Sequence, residues 1–454
     1  MEEKKVSNSR LWVQKGGVLL GGCGITGTYS LYNSLASIFY TDVLGISATA
    51  MGVMVFISKV WDAINDIMCG ALIDRTNTRF GQVKPWLFCG GILIFVFSVL
   101  MFTVPDFNYA GRLVWAYITY NGVGMAFTAC VIGTVSLMPR ITRNPLEQVS
   151  LNAYYTVGQS IAAIAVSAVL MQLLTYFSAQ NPGTAYRNLA LVVGGAGLVL
   201  TMIFVFVIRE PREDRIVAEA RVPLKKSLSA LFHNRPVLLI AGISMVFGIA
   251  SGMHSASVVH YLTYVMEDPN LSGYVLVVSY AGTFIASIVS RPLAHFDKLL
   301  MSRVSFIVIA AGTALRLVTG DSSLVFMLIG ESCIGLGGGL FTVYSVPLLI
   351  DCALYGYVKT GVRSDALVLS SLTFQTKIGQ GLGTAIMGIW LGAAGYEELS
   401  SIQPDSAVSA IAQVHLVPYL AVAILCFVML HFYSLSSKRM EAVRAEAEAR
   451  ESAN

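Results

Sequence analysis

The chain has 454 residues, of which 55% are hydrophobic and only 12% charged, about half the charged fraction of an average soluble domain. A mean hydropathy of +0.69 excludes an ordinary soluble globular protein, and a net charge of +4 without basic clusters interleaved by aromatics excludes a nucleic-acid partner. The seven cysteines show no CxxC or Cys/His spacing, which argues against disulfides or zinc and for small apolar side chains within membrane segments.

Apolar stretches recur from end to end, each long enough to cross a bilayer as a helix, for which about 20 residues suffice. Twelve spans are expected, at 11–40, 45–74, 85–104, 111–138, 147–177, 186–208, 236–266, 273–295, 303–320, 323–351, 366–395 and 408–434. Met1–Arg10 is polar and the run after it is too long for a signal-peptide core, so the first span doubles as the insertion signal. All Lys and Arg residues except Lys59, Arg112, Arg187, Arg316 and Lys377 fall at one side of this topology. The positive-inside rule places that side, and with it both termini, in the cytoplasm of a cell whose inner membrane holds the chain as a multi-pass protein.

One substantial loop, 209–235, separates a first bundle of six helices (1–208) from a second (236–434), and a tail of 435–454 follows. Pro223 to Phe232 within that loop reads as a short amphipathic helix on the cytoplasmic face. The tail after Ser437 alternates Arg, Glu and Ala and reads as a solvated helix. An all-α membrane protein of twelve transmembrane helices in two six-helix bundles follows the plan of the major facilitator architecture, with substrate bound at the midplane between halves.

The second span carries the most expensive residues. In Lys59-Val60-Trp61-Asp62-Ala63-Ile64-Asn65-Asp66, helical spacing puts Lys59, Asp62 and Asp66 on one face with Asn65 beside them. An ionised group at the bilayer centre costs roughly 2.5–3.5 kcal/mol, and two carboxylates one turn apart repel. One lysine cannot neutralise two aspartates. A salt bridge between helices is one reading; a cation site, with Asn65 adding a neutral oxygen, accounts for more of the residues. Asp74 and Arg75, with Arg79 and Gly81, fill the next loop, where they clamp helix ends in one state of a rocking transporter or simply set topology.

These residues resemble a known family. Tyr40-Thr41-Asp42-Val43-Leu44-Gly45, Trp61-Asp62-Ala63-Ile64-Asn65-Asp66 and Thr78-Arg79-Phe80-Gly81-Gln82-Val83-Lys84-Pro85-Trp86 are similar to the glycoside–pentoside–hexuronide:cation symporters. Leu231-Phe232-His233-Asn234-Arg235-Pro236 and Tyr355-Gly356 with Lys359-Thr360-Gly361-Val362-Arg363 extend the likeness along the chain. The resemblance implies a sodium or proton site built from Asp62, Asp66, Asn65 and a fourth-span threonine, which falls on Thr128, with the two aspartates as the charged sodium ligands. It also implies that Lys377 matches a family lysine and Lys59 a family basic position. The positions that grip galactosides in the family hold Thr26, Val131, Val135 and Tyr154 here, so the resemblance carries the coupling machinery better than that substrate.

Further candidates follow from position. Tyr29 and Asn33 share a face of the first span with hydroxyl and amide groups suited to a polar solute, though packing and interfacial belts explain many such tyrosines. Thr373 and Lys377, one turn apart on the eleventh span, complete the expected substrate set. Lys377 binds substrate, pairs with a carboxylate such as Asp62, or moves between them. Asp351 ends the tenth span as a helix-end or interhelical ion pair. Glu331 is a gate or an interfacial residue, and His254 and His260 are titrating groups or hydrogen-bonded structural ones. Gly335-Leu336-Gly337-Gly338-Gly339 reads as close packing or a hinge, since no phosphate-loop Lys-Ser/Thr follows.

The function expected is a cation-coupled carrier importing a glycoside, sugar or sugar acid. Its partners are the solute, sodium or a proton and the lipid bilayer; it takes no cofactor, acts as a monomer and is not an enzyme, since no nucleophile–base pair appears. The alternatives are a carrier of a less sugar-like solute and a membrane sensor that binds without transporting.

Overall fold

A computed structural model describes residues 8–142, 145–210, 232, 234–290, 292–293, 295–320, 323–361, 365–435 and 437–453. Among them the chain is helical and contains no strand, only an isolated bridge between Thr78 and Gly81. A long helix occupies each stretch expected to span: α1 (Asn8–Ile38), α2 (Ala48–Arg75), α3 (Lys84–Met101), α4 (Tyr109–Ile141), α5 (Pro145–Gln180) and α6 (Ala185–Val207). There follow α7 (Arg235–His260), α8 (Leu271–Val289), α9 (Lys298–Thr319), α10 (Leu324–Thr360), α11 (Asp365–Ala393), α12 (Asp405–Met429) and the tail helix α13 (Ser437–Ala453). Among the described residues nine of these helices are long and apolar enough to cross a membrane; α1, α2 and α11 fall outside that set. The chain is an all-α, multi-pass membrane protein.

Local chemistry starts and stops these helices. The Ser47 hydroxyl accepts the Ala50 N–H at 3.2 Å ahead of α2, Asn108 accepts Gly111 N–H at 2.9 Å ahead of α4, and Asp297 accepts Leu299 N–H at 2.9 Å ahead of α9. Each satisfies one of the donors a helix start leaves bare. α10 ends at Gly361 in the left-handed region, φ 70°. Its 37 residues run to about 55 Å, well past a hydrocarbon core of about 30 Å. The helix runs nine residues past the expected end of the span at 351. A helix need not stop at a membrane boundary, and Cys352 to Thr360 continue this one with Lys359 as their one charged residue.

Packing divides the chain into two compact units. The first comprises Met1–Ile216, Ser255–Val277 and Met387–Ile411. Within it α1 packs on α5 and α6, α3 on α4 and α6, and α2 on α4, around a core that includes Val18, Ile25, Leu87, Leu137 and Phe204. The end of α11 joins this unit because Gly388 lies against the start of α2: a Cβ there would stand 2.2 Å from the Ala48 carbonyl oxygen, so only glycine permits the approach.

The second unit comprises Val217–His254, Val278–Ile386 and Ala412–Asn454. Its core includes Val237, Phe306, Phe341, Tyr419 and Cys426. Met440, Val443 and Ala447 of α13 are buried in the same core, and α13 packs on α10. The tail, expected as a solvated helix, is thus a docked one. These three buried residues share one face, a short stripe masked in the sequence by the surrounding charge. The amphipathic stretch expected from Pro223 lies outside the described residues except for Phe232.

α1 and α7, the first helix of each half of the sequence, both end in a single π-helical turn, Phe39–Val43 and Tyr261–Val265. Each closes with a wide backbone bond, Leu44 N–H to Phe39 O at 2.9 Å and Met266 N–H to Tyr261 O at 3.1 Å. Such turns re-aim side chains at functional positions.

Candidate cation and substrate site

The face of α2 that carries the charges meets α4 in three successive rungs, because residues 58, 62 and 66 recur every fourth position. At the first, Asn121 Nδ2 donates to Ser58 Oγ at 3.0 Å. At the second, Asp62 lies over Gly124, where a Cβ would stand 2.8 Å from Asp62 Oδ1, so the glycine leaves room for the carboxylate. At the third, Thr128 Oγ1 donates to Asp66 Oδ1 at 3.1 Å. Asn65, 2% exposed, accepts a weak bond from Cys69 Sγ at 3.5 Å, and its Nδ2 is buried without a hydrogen-bond partner. A buried donor left so costs about 1–3 kcal/mol and could be completed only by an acceptor, so it is the amide oxygen and not Nδ2 that a cation could use.

Lys59 takes a definite side. Its ammonium is 4.0 Å from Asp62 Oδ2 and 3.4 Å from the Tyr29 hydroxyl. Tyr29 is in turn fixed by stacking on Phe127 and Tyr32, with ring centroids 3.8 and 5.1 Å apart. Asp62 thus has an ammonium beside it, whereas Asp66 has the Thr128 hydroxyl. Two carboxylates, an amide and a hydroxyl within two turns of α2 and one of α4 make an oxygen-rich set of the kind a hard cation takes.

On the substrate side, Thr26 has a buried hydroxyl without a partner, Tyr29 faces Lys59, and Asn33 donates to Ser255 Oγ at 3.4 Å. These three lie on α1 at intervals of three and four. Tyr154 is engaged elsewhere: its ring meets Trp12 edge-on at 6.3 Å and Lys15 Nζ at 6.0 Å, and Lys15 pairs with Glu147 at 2.7 Å. From Lys15 to Thr26 is about 16 Å along the helix, so Tyr154 is not brought together with the α1 set. Val131 is half-buried and Val135 exposed. Lys377 is half-buried on α11. The side chains of Thr373 and Asp74 lie outside the described residues, and Arg75 is exposed at the end of α2.

Asp351 bridges three helices, accepting from Lys298 of α9 at 2.6 Å and from Arg444 of α13 at 3.4 Å. Two carboxylates to which the sequence assigned no role, Glu210 and Asp42, also join distant segments in the first unit. Glu210, just beyond α6, accepts the backbone N–H groups of Gln82, Val83 and Lys84 at 3.0 to 3.3 Å and pairs with Arg140 at 3.2 Å. It caps α3 with a full negative charge where the helix dipole favours one. No local pattern signals this, since 126 residues separate Glu210 from Lys84.

Asp42, in the π turn after α1, accepts hydroxyls from Thr41 at 2.6 Å, from Tyr264 in the π turn after α7, and from Tyr396 beyond α11. His260 Nε2 lies 3.3 Å from the same Thr41 hydroxyl. Burial and then the Asp42 carboxylate push the Tyr396 hydroxyl far above the ordinary tyrosine range, so it remains a donor. The Tyr-Thr-Asp motif was visible in the sequence; what it holds was not.

The sequence matches the family model described as MFS/sugar transport protein over residues 17–437. It is 30% identical over 380 residues to the isoprimeverose transporter of Lactiplantibacillus pentosus, covering 81% of this chain and 78% of that protein. Over 415 residues it is 29% identical to the glucuronide carrier protein homolog of Escherichia coli K12, covering 91% and 90%. The fold is similar to that of the E. coli xylose transporter in its inward open conformation, with a TM-score of 0.64 at 14% identity over 96% of this chain and 99% of that one.

Proposed function

The chain belongs to the MFS/sugar transport family, and within it to the glycoside–pentoside–hexuronide:cation symporters, which are transporters and not enzymes; from that premise we propose that it imports a glycoside, sugar or sugar acid together with a cation. The carrier works by alternating access in the inner membrane, as a monomer of twelve spans with both termini in the cytoplasm. The observation that carries the coupling is the division of labour on α2. Lys59 sits with Asp62 at 4.0 Å, while Asp66 has Thr128 at 3.1 Å and lies one residue from the buried Asn65 amide.

Sodium is the cation these oxygens suit. A proton needs one carboxylate of raised proton affinity and no neutral ligands, whereas sodium needs several oxygens converging on one point. Asn65 and Thr128 would be idle in a pure proton relay. Thr26, Tyr29 and Asn33 face the solute from α1, and Lys377 from α11 with Thr373; Asp74, Arg75 and Asp351 act at helix ends.

A second reading has one specific support. Val131 and Val135 stand where the family's galactoside carriers place an aspartate and an indole, which favours a solute with fewer hydroxyls to grip. The test is uptake by vesicles of a panel of labelled sugars, glucuronides and aglycones, with and without a sodium gradient. Sodium-stimulated uptake of a sugar or glycoside is expected. Uptake of the aglycones alone would favour the second reading, and binding without accumulation of any solute would overturn transport.

A further inference from the structure

The second unit contains a buried polar cluster that the proposed coupling does not use. It takes one residue from each of four helices: His254 from α7, Arg316 from α9, Glu331 from α10 and His415 from α12. Arg316 and His415 are fully buried, Glu331 is 1% exposed and His254 8%, and all four lie within helices able to cross the membrane. Arg316 Nη1 holds Glu331 Oε2 at 2.7 Å and faces His415 Nε2 at 3.4 Å. His254 Nε2 is 3.1 Å from Glu331 Oε1, and His254 Nδ1 is 3.1 Å from the His415 backbone oxygen.

Donor and acceptor types assign the protons. A guanidinium only donates, so His415 Nε2 accepts, and His415 is the neutral tautomer with its proton on Nδ1. A backbone carbonyl only accepts, so His254 carries a proton on Nδ1. Its Nε2 then faces a carboxylate oxygen. Either Nε2 bears a second proton and donates to the carboxylate, or Glu331 is a neutral acid and donates to Nε2. In both cases one proton occupies the gap. Without it two lone pairs oppose each other at 3.1 Å in a dry interior.

The charge count makes that proton removable. Within these four side chains Arg316 balances Glu331, so the four together are neutral without the extra proton and carry a single positive charge with it. Neither state is an uncompensated buried pair of like charges. The stacking of His254 on His415, with ring centroids 4.2 Å apart, tolerates one imidazolium over one neutral ring. The pair also faces the Tyr419 ring of α12, 5.0 Å from that of His254, and the Ser279 hydroxyl of α8 beside Glu331.

We propose that Glu331 and His254 form a reversible proton-binding site inside the membrane, on different helices from Asp62 and Asp66, with Arg316 and His415 holding the two partners in register. The ligand atoms of His254, Glu331 and His415 lie close enough to suggest a metal. A divalent ion there would sit against Arg316, which already occupies both Glu331 and His415, so the proton is the fitting ligand. This inference does not depend on the solute or on the cation at α2.

The test uses the full chain in lipid nanodiscs, labelled with nitrogen-15 at histidine, with magnetic resonance and infrared spectra recorded from about pH 4 to pH 10. The stacked rings of His254 and His415 are identified by their through-space contact, so assignment needs no variant. Expected are a neutral His415 throughout and one transition in which the Glu331–His254 pair loses a proton, seen at the His254 nitrogens or as a Glu331 carboxylic-acid band. Glu331→Gln should abolish the carboxylic-acid band and change the His254 nitrogen signals across the same range, since the carboxylate that shares the proton is gone. A pair that keeps or lacks its proton across the whole range would overturn the proposal. So would a His254 transition unmoved by Glu331→Gln, or zinc binding that displaces the same signals.

Discussion

Neutralising Asp62 and neutralising Asp66 should have different structural consequences and the same functional one. Lys59 Nζ lies 4.0 Å from Asp62 Oδ2, with both side chains 9% exposed. At the effective dielectric of about 20 that suits such sites, the pair attracts by about 4 kcal/mol. Asp62→Asn removes that attraction and leaves the ammonium buried, and breaking one side of a buried pair costs about 3–5 kcal/mol. Asp66→Asn leaves the pair intact and turns a charged acceptor for Thr128 into a neutral one, a loss of about 1 kcal/mol. Removing both charges with Asp62→Asn/Lys59→Gln should recover most of the first loss, because nothing charged is left unmatched.

Stability would be read by thermal denaturation in detergent, and coupling by uptake into vesicles in choline buffer before and after adding sodium. Sodium stimulation should vanish in all three variants, because each lacks a carboxylate that neutral oxygens cannot replace. Two results would refute the reasoning: sodium stimulation surviving in Asp66→Asn, or Asp62→Asn as stable as the unmodified protein. The second would mean that Lys59 and Asp62 are not paired in the membrane.

Three further outcomes are expected. Sodium added at fixed pH should stimulate uptake; no response, together with collapse of uptake by a protonophore, would make Asn65 and Thr128 packing groups in a proton-driven carrier. Melibiose should be transported poorly, since Thr26, Val131, Val135 and Tyr154 replace the family's galactoside grip, and robust melibiose uptake would sink that inference. Tyr396→Phe should cost about 1.5–3 kcal/mol, the value of a hydrogen bond to a charged group, as measured by thermal denaturation. Because the folded hydroxyl's proton affinity is raised, its contribution is fully present below the unfolded tyrosine value of about 10 and declines as pH rises above it. A contribution that grew with rising pH would contradict the bond to Asp42.

The helices themselves were legible in the sequence because a bilayer imposes one simple condition, an apolar run of sufficient length. Even α2, whose charges keep it out of the set recognised by hydropathy, was legible, since those charges recur with the period of a helix. So was the gathering of Asp62 and Asp66 on one face. Sequence alone also exposed Lys59 as too few positive charges for two carboxylates. It left undecided which of them the lysine meets, because that depends on Tyr29 from α1 and Gly124 from α4, both distant in the chain.

Contacts between distant segments were beyond reach for the same reason. Glu210 on the α3 backbone, Asp42 beneath Tyr264 and Tyr396, and His254 against Glu331 join residues 77 to 354 positions apart; none leaves a local period to read. The docked face of α13 was hidden differently, since three apolar residues in a charged tail gain meaning only beside the core of α10. Periodicity reports which side of a helix is unlike the others. Only packing decides what that side touches, because burial, dielectric and hydrogen-bond partners are properties of the neighbours and not of the residue.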